Sequence, residues 1–178
     1  ASFDLSKIQR SGAQWSDDKL NWMNKEHMKL LSTEEVEKNI FARLPENMKN
    51  KKLVTIIFER ISKWGDVEEM VKKGELDLFF NAPSISKDKL VYKNSTLLKT
   101  TENLKSAITA LQDLAEDSFI AEKIKNTLMS IAENLDSRGE LLHPVRYALS
   151  GVDKSPDPFI ISEILGKNET LSRLQKAI

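Results

Sequence analysis

Cysteine is absent from the 178-residue sequence, which removes disulfides, thiolate-ligated zinc and a cysteine nucleophile together. Histidine is nearly absent. His27 and His143 are the only two; they form no H-x-x-x-H pair, and no motif ties an Asp/Glu pair to either, so no metal site and no catalytic residue is expected. The bland readings are a helix-face residue for His27 and a residue at a helix start for His143. The G-x-G-x-x-G and P-loop patterns are missing, and with them the usual phosphate cradles. No apolar run approaches the ~20 residues that cross a bilayer, and the opening ASFDLSKIQRSG lacks the apolar core of a signal peptide. An excess of either charge is lacking too. Lys+Arg and Asp+Glu number 27 each, 14 of each in residues 1–80 and 13 of each in 81–178, so a nucleic acid would have to be met by locally gathered cations. A soluble, cytoplasmic chain with no membrane partner is expected. It begins with Ala rather than Met, and a longer parent chain is expected.

What is present is helical punctuation. Hydrophobic residues make up 40 % and charged residues 30 %, with 6 Gly and 5 Pro, the balance of a folded helical protein. Ser16 followed by Asp17 and Asp18 predicts a helix over about 17–30, its stripe formed by Leu20, Met23, His27, Leu30 and Leu31. Ser32-Thr33-Glu34-Glu35 reads as a capping box opening a second helix that Pro45 stops. Residues 50–64 place Leu53, Ile56, Ile57, Ile61 and Trp64 on one stripe, interrupted at Gly65-Asp66. One or two short helices are expected up to Asn81, and the turn-rich run 81–100 is read as a boundary. Further helices are expected over about 101–116, over 119–135 after a cap at Asp117-Ser118, from Pro144, over 158–165, and after an N-cap at Asn168. No fixed repeat and no run of alternating strands is found. The fold class expected is all-α, with two helical subdomains.

Arginine is scarce, six residues against 21 lysines, and its planar fork of donors does work that a lysine cannot. Arg60 interrupts an apolar helix and Arg146 follows Pro144 by two residues. Spacing alone allows both to be snorkelling surface residues.

The C-terminal run LLHPVRYALSGVDKSPDPFIISEILGKNETLSRL, residues 141–174, resembles the end of the anticodon-binding region of bacterial-type glutamyl-tRNA synthetases. That family has a Pro-x-Arg-x-Ala-Leu-Thr/Ser-Gly segment, a Pro-containing loop, a Phe-led helix ending Leu-Gly, and a last helix containing Arg-Leu. Pro144, Arg146, Ala148, Leu149, Ser150, Gly151, Pro156, Phe159, Leu165, Gly166, Arg173 and Leu174 stand at matching positions. SGAQWSDDKLNWMN, residues 11–24, is similar to the family's Phe-Asp-x-x-Lys-Leu-x-Trp-Leu/Met-Asn, with Trp15 and Ser16 in place of Phe-Asp. ERISKW, residues 59–64, is a partial match to Glu-Arg-x-x-Thr-Leu. The three matches fall in family order.

The resemblance implies a class I aminoacyl-tRNA synthetase whose catalytic half lies outside this chain. The family's His-Ile-Gly-His-type and Lys-Met-Ser-Lys-Ser-like signatures are missing, and Ile85-Ser86-Lys87 is a chance echo of the second. It implies residues 1–31 as the end of the stem-contact region, 32–97 as a first helical anticodon-binding subdomain and 98–178 as a second. It places Arg146 on anticodon bases, Ser155, Pro156, Pro158 and Phe159 around the first anticodon base, and Arg60 on the third. It implies tRNA for glutamate as partner, with tRNA for glutamine left open, a monomer, and no cofactor in this chain, ATP and Mg belonging to the parent enzyme. Single-stranded bases suit this residue set, since they can be read on their edges by Arg and hydroxyl groups and stacked on a ring. Lys49, Lys51 and Lys52 are the densest basic cluster, fit to meet stem phosphates or simply to solvate a helix start. The reading from another class is a helical scaffold or protein-interaction domain without RNA binding.

Overall fold

The computed structural model describes residues 14–178; residues 11–13 of the N-terminal family match and the opening ASFDLSKIQRSG lie outside them. Every regular element among the described residues is helical: α1 (Asp17–Met28), α2 (Thr33–Phe41), α3 (Lys51–Arg60), α4 (Gly65–Lys72), α5 (Lys87–Leu90), α6 (Leu97–Gln112), α7 (Ala121–Ala132), α8 (Gly139–Ser150), α9 (Pro158–Leu165) and α10 (Lys167–Lys176), with 3₁₀ turns at Glu46–Met48, Asp77–Phe79 and Glu116–Ser118. The chain is all-α, as its capping residues and apolar spacings predict.

Two compact units divide it, residues 1–69 and 70–178. The division falls within α4, ahead of the run near residue 97 where the sequence places its boundary. The turn-rich run belongs to the second unit because Leu90 is 1 % exposed and Lys89 bonds to Asp153 at 3.0 Å.

In the first unit, α2 packs on α3 over the fully buried Ile40, Leu53 and Ile57. Ser16 caps α1 through the Lys19 amide, and Ser32 with Glu35 forms the expected capping box of α2. The expected stripe of α1 is different. Leu20, Met23 and Leu30 are 41, 44 and 81 % exposed and Met28 alone on this helix is buried. What docks α1 is Lys25, whose ammonium donates to the carbonyls of Phe58 and Ile61 at the end of α3. Burial pushes that ammonium below the ordinary lysine value, with Lys29 adding to the effect and Glu59 opposing it. The helix expected to run to Trp64 ends at Arg60, with Ile61 extended, because the Asp66 carboxylate accepts from the amides of Ser62 and Lys63 at 2.7 and 3.0 Å and starts α4 instead.

In the second unit α6 packs against α7, α8 and α10, and α9 against α7 and α8, around the fully buried Leu104, Leu111, Ile124, Leu128, Leu141 and Leu149. Its boundaries correct four expectations. Thr96 caps the Lys99 amide, so α6 begins four residues early. Asp117-Ser118 lies in a 3₁₀ turn, and α7 starts instead after Ile120, where the Glu163 carboxylate of α9 accepts from the Ala121 amide at 3.0 Å. Asn168 lies inside α10, which Gly166 precedes at φ 78°. Pro144 does not open α8 but sits at its sixth position.

An interior proline removes the amide that would bond the carbonyl four residues earlier, here that of Glu140. The fold replaces it from another helix: Asn103 Nδ2 of α6 donates to the Glu140 carbonyl at 3.1 Å, and Asn103 is 8 % exposed. Asn103→Leu should therefore strand a half-buried carbonyl and cost about 1 kcal/mol or more. In a urea-denaturation cycle, Pro144→Ala should be more favourable beside Asn103→Leu than alone, since it returns a backbone donor to that carbonyl. Additive effects would show that the two residues do not share the bond.

Candidate nucleic-acid interface

The second half of α8, the loop after it and the start of α9 gather five of the nine site residues named from the sequence. Gly151 ends the helix at φ 69°, with its amide donating to the Tyr147 carbonyl at 2.7 Å. A Cβ there would stand 2.5 Å from Cβ of Pro83, so both the left-handed backbone and the close approach require glycine. Ser150 Oγ donates back to the Arg146 carbonyl at 2.8 Å. Arg146 is half-buried and donates from Nη1 to the Asp153 carbonyl at 2.9 Å, so the guanidinium straps the loop to its own helix. A guanidinium carries five N–H donors in a fork, and this bond uses one.

Asp157 closes the loop by accepting from the amides of Phe159 and Ile160 at 3.1 and 3.0 Å, and Pro158 occupies the first position of α9. That pairing is a strong helix start. Pro158 is buried, and its carbonyl accepts from Ser162 Oγ at 2.7 Å. Ser155, Pro156 and Phe159 are half-buried, with Ser155 Oγ donating to the Pro156 carbonyl at 3.1 Å. Arg146 and these four residues thus occupy one end of α8, one loop and one helix start.

On the other flank, Lys89 meets Asp153 at 3.0 Å. The hydrogen bond to that carboxylate, and then its charge, hold the Lys89 ammonium above its ordinary value, although a pair this exposed adds little stability. His143 sits against the Lys89 carbonyl at 2.9 Å, its ring parallel to Tyr147 and tilted against Tyr92. It lies in the middle of α8 rather than at a helix start.

The same helix end is held by Arg173, which the sequence marks only through the Arg-Leu match. Arg173 is 3 % exposed; Nε donates to Glu169 at 2.7 Å, and Nη1 to the carbonyls of Leu78 and Leu149 at 2.6 and 2.8 Å. It ties the last turn of α8, which directly follows Arg146, to the 3₁₀ turn at Asp77–Phe79. The available signal is its place four residues after Glu169 and one before the buried Leu174.

The first unit holds the rest. Lys51 and Lys52 lie in the first turn of α3 behind the Asn50 cap, and Arg60 is its last residue, so a ten-residue helix separates them by roughly 14 Å. Lys51 and Lys52 sit at the positive end of the helix dipole, which adds to their field rather than offsetting it. Lys49 pairs with Glu46 at 2.6 Å and Lys51 with Glu37 at 3.2 Å. Arg60 and Lys52 are exposed. Among the described residues no group of three or more His, Asp and Glu is placed to hold a metal ion, and no helix is long and apolar enough to cross a membrane.

One all-helical unit carries the Arg146 fork on α8, the Ser155 hydroxyl in the following loop and the Phe159 ring at the start of α9, residue types that suit contact with unpaired bases. The chain belongs to the anticodon-binding domain family, whose model matches residues 19–178. More particularly, it corresponds to the C-terminal, anticodon-binding part of glutamate–tRNA ligases. It is 30 % identical over 186 residues to the glutamate–tRNA ligase of Clostridium botulinum strain Hall, covering 99 % of this chain and 37 % of that protein. It is 29 % identical over 184 residues to that of Clostridium tetani, covering 99 % and 36 %. The crystal structure of a glutamate tRNA ligase from Elizabethkingia meningosepticum superposes with a TM-score of 0.69 at 28 % identity, over 98 % of this chain and 34 % of that one. The chain thus spans little more than a third of the length of these relatives.

Proposed function

We propose that this chain recognises the anticodon of tRNA for glutamate, as the tRNA-binding part of a glutamate–tRNA ligase. ATP- and Mg-dependent joining of glutamate to tRNA would then belong to a catalytic domain outside this sequence. The observation that carries the reading is the junction of Arg146, the Gly151–Asp157 loop and Phe159 at one end of the α8–α9 pair, in a chain matched by the anticodon-binding family over 19–178. Arg146 reads base edges with the donors that the Asp153 carbonyl leaves over. Ser155, Pro156 and Phe159 close around the first anticodon base, and Pro158 sets the loop from below. Arg60 reads the third base, and Lys49, Lys51 and Lys52 draw in stem phosphates. The N-terminal residues up to about 31 are then the end of the stem-contact region, followed by two helical anticodon-binding subdomains, in a monomeric, cytoplasmic protein.

Filter binding of the anticodon stem-loop hairpin of tRNA for glutamate tests this. Binding is expected to weaken steeply as salt rises and to exceed that of a hairpin with a scrambled anticodon. The glutamine hairpin, run in parallel, reports whether the recognition extends to that tRNA. Equal binding of cognate and scrambled hairpins, or none, returns the chain to the scaffold reading.

A further inference from the structure

The first unit contains a cavity that none of the anticodon assignments uses. It measures about 390 Å³ and is lined by Asn24, His27, Met28 and Leu31 of α1 and its end, and by Lys63 and Trp64 of the turn between α3 and α4. Its volume lies near the lower end of the ~300–1,000 Å³ of small-ligand sites, the scale of one nucleotide rather than of a peptide helix.

Three features of its construction bear on what enters. The walls are fixed by the same contacts that end α3: Lys25 clasps α1 to the carbonyls of Phe58 and Ile61, and Asp66 holds the amides of Ser62 and Lys63. One wall is a half-buried indole, with the Arg43 guanidinium 5.9 Å from its ring. The rim carries the Lys63 ammonium, 57 % exposed and 3.9 Å from its nearest carboxylate, Asp66, which is too long to occupy it fully. An aromatic face, an amide at Asn24 and a loosely held cation are the three parts by which proteins hold an unpaired nucleotide: stacking, an edge contact and a phosphate contact. The cavity also lies close in the chain to the proposed third-base reader. Arg60 precedes Trp64 by four residues, across the extended Ile61, a chain path of at most about 14 Å. Lys63 and Trp64 stand where the Glu-Arg-x-x-Thr-Leu pattern has Thr and Leu, so the subsite belongs to this sequence rather than to the pattern.

We infer that this cavity is a nucleotide subsite, taking one unpaired base of the bound RNA against the Trp64 indole with its phosphate beside Lys63. The occupant is the nucleotide directly 3′ of the anticodon, next in the chain to the base assigned to Arg60. The inference rests on the anticodon reading.

The test is a double cycle on the full chain with the hairpin of tRNA for glutamate, carrying either its natural base or an abasic ribose at that 3′ nucleotide. Trp64→Leu should weaken binding of the intact hairpin about tenfold, within the range that loss of one base–aromatic stack brings, and of the abasic hairpin less than twofold. Trp64→Phe should recover most of the loss, which a ring can do and a general packing defect would not allow. Lys63→Ala should weaken both hairpins alike. Circular dichroism and urea midpoints on each variant keep misfolding apart from lost contact. Equal losses by Trp64→Leu on both hairpins, or no loss on either, overturn the subsite while leaving the anticodon reading standing. Failure of the wild-type chain to prefer the cognate anticodon overturns both.

Discussion

Arg173→Ala is expected to destabilise the second unit by about 3 kcal/mol, on the scale of emptying a buried leucine site. The side chain is 3 % exposed and its Nη1 serves the carbonyls of Leu78 and Leu149. Hydrogen bonds from a charged donor contribute about 1.5–3 kcal/mol each, and truncation leaves both acceptors stranded rather than returned to water. The ion pair is the smaller part, because Glu169 is 43 % exposed and is screened accordingly. Urea denaturation should show a lower midpoint with an unchanged slope. Arg173→Lys should recover part of the loss, since an ammonium reaches one carbonyl but cannot span two of them and Glu169 in one plane. An unfolding free energy within about 0.5 kcal/mol of wild type for the alanine variant would mean that water replaces the guanidinium and that the last turn of α8 stands without it. The site should feel the change as well, because Leu149 lies between Arg146 and the Gly151 cap.

Much of this architecture can be read from local chemistry. Ser16, Ser32 with Glu35, Asn50 and Gly166 punctuate helices through bonds made within one turn, and the α9 range is read correctly because Pro158 and Gly166 act locally. The starts of α6 and α10 and the end of α3 turn on nearby residues, Thr96, Gly166 and Asp66, whereas for two other misplacements the deciding partner is remote in sequence. Ala121 is capped by Glu163, 42 residues away, and Pro144 is tolerated inside α8 because Asn103, 37 residues before Glu140, supplies the missing donor. The apolar spacing of α1 suggests a buried stripe, yet Lys25 fixes the helix through carbonyls of α3, which no periodicity reports. The candidate site divides the same way. The α8–loop–α9 residues can be grouped from the sequence because they are contiguous and carry glycine and proline punctuation. Arg173 cannot be placed that way, because its acceptors lie 24 and 95 residues away, and neither can the Trp64 cavity, because its walls come from two elements whose juxtaposition depends on that same lysine clasp.

Arg146→Lys is the variant that separates reading from attraction. A lysine keeps the charge and so keeps its pull on phosphate, but it loses the planar fork that pairs two donors with one base edge. Loss of a two-bond contact costs about 1–3 kcal/mol, roughly tenfold to a hundredfold in affinity. Arg146→Ala and Arg146→Lys should therefore both lower binding of the cognate hairpin by that factor and leave binding of a hairpin with an altered anticodon nearly unchanged. Lys51→Ala should instead weaken both hairpins alike and reduce the salt slope by about one ion. The helix should survive these changes, because Arg146 contributes to the fold mainly through one bond to the Asp153 carbonyl, while the Gly151 conformation and the Asp157 cap hold the two ends of the loop. That bond gives the experiment its control. If Arg146 only straps the loop, Arg146→Lys, which can still reach a carbonyl, should behave as wild type on both hairpins, whereas a base reader fails with lysine on the cognate hairpin alone. Equal losses on the two hairpins, with helicity unchanged, would place base recognition elsewhere on the surface.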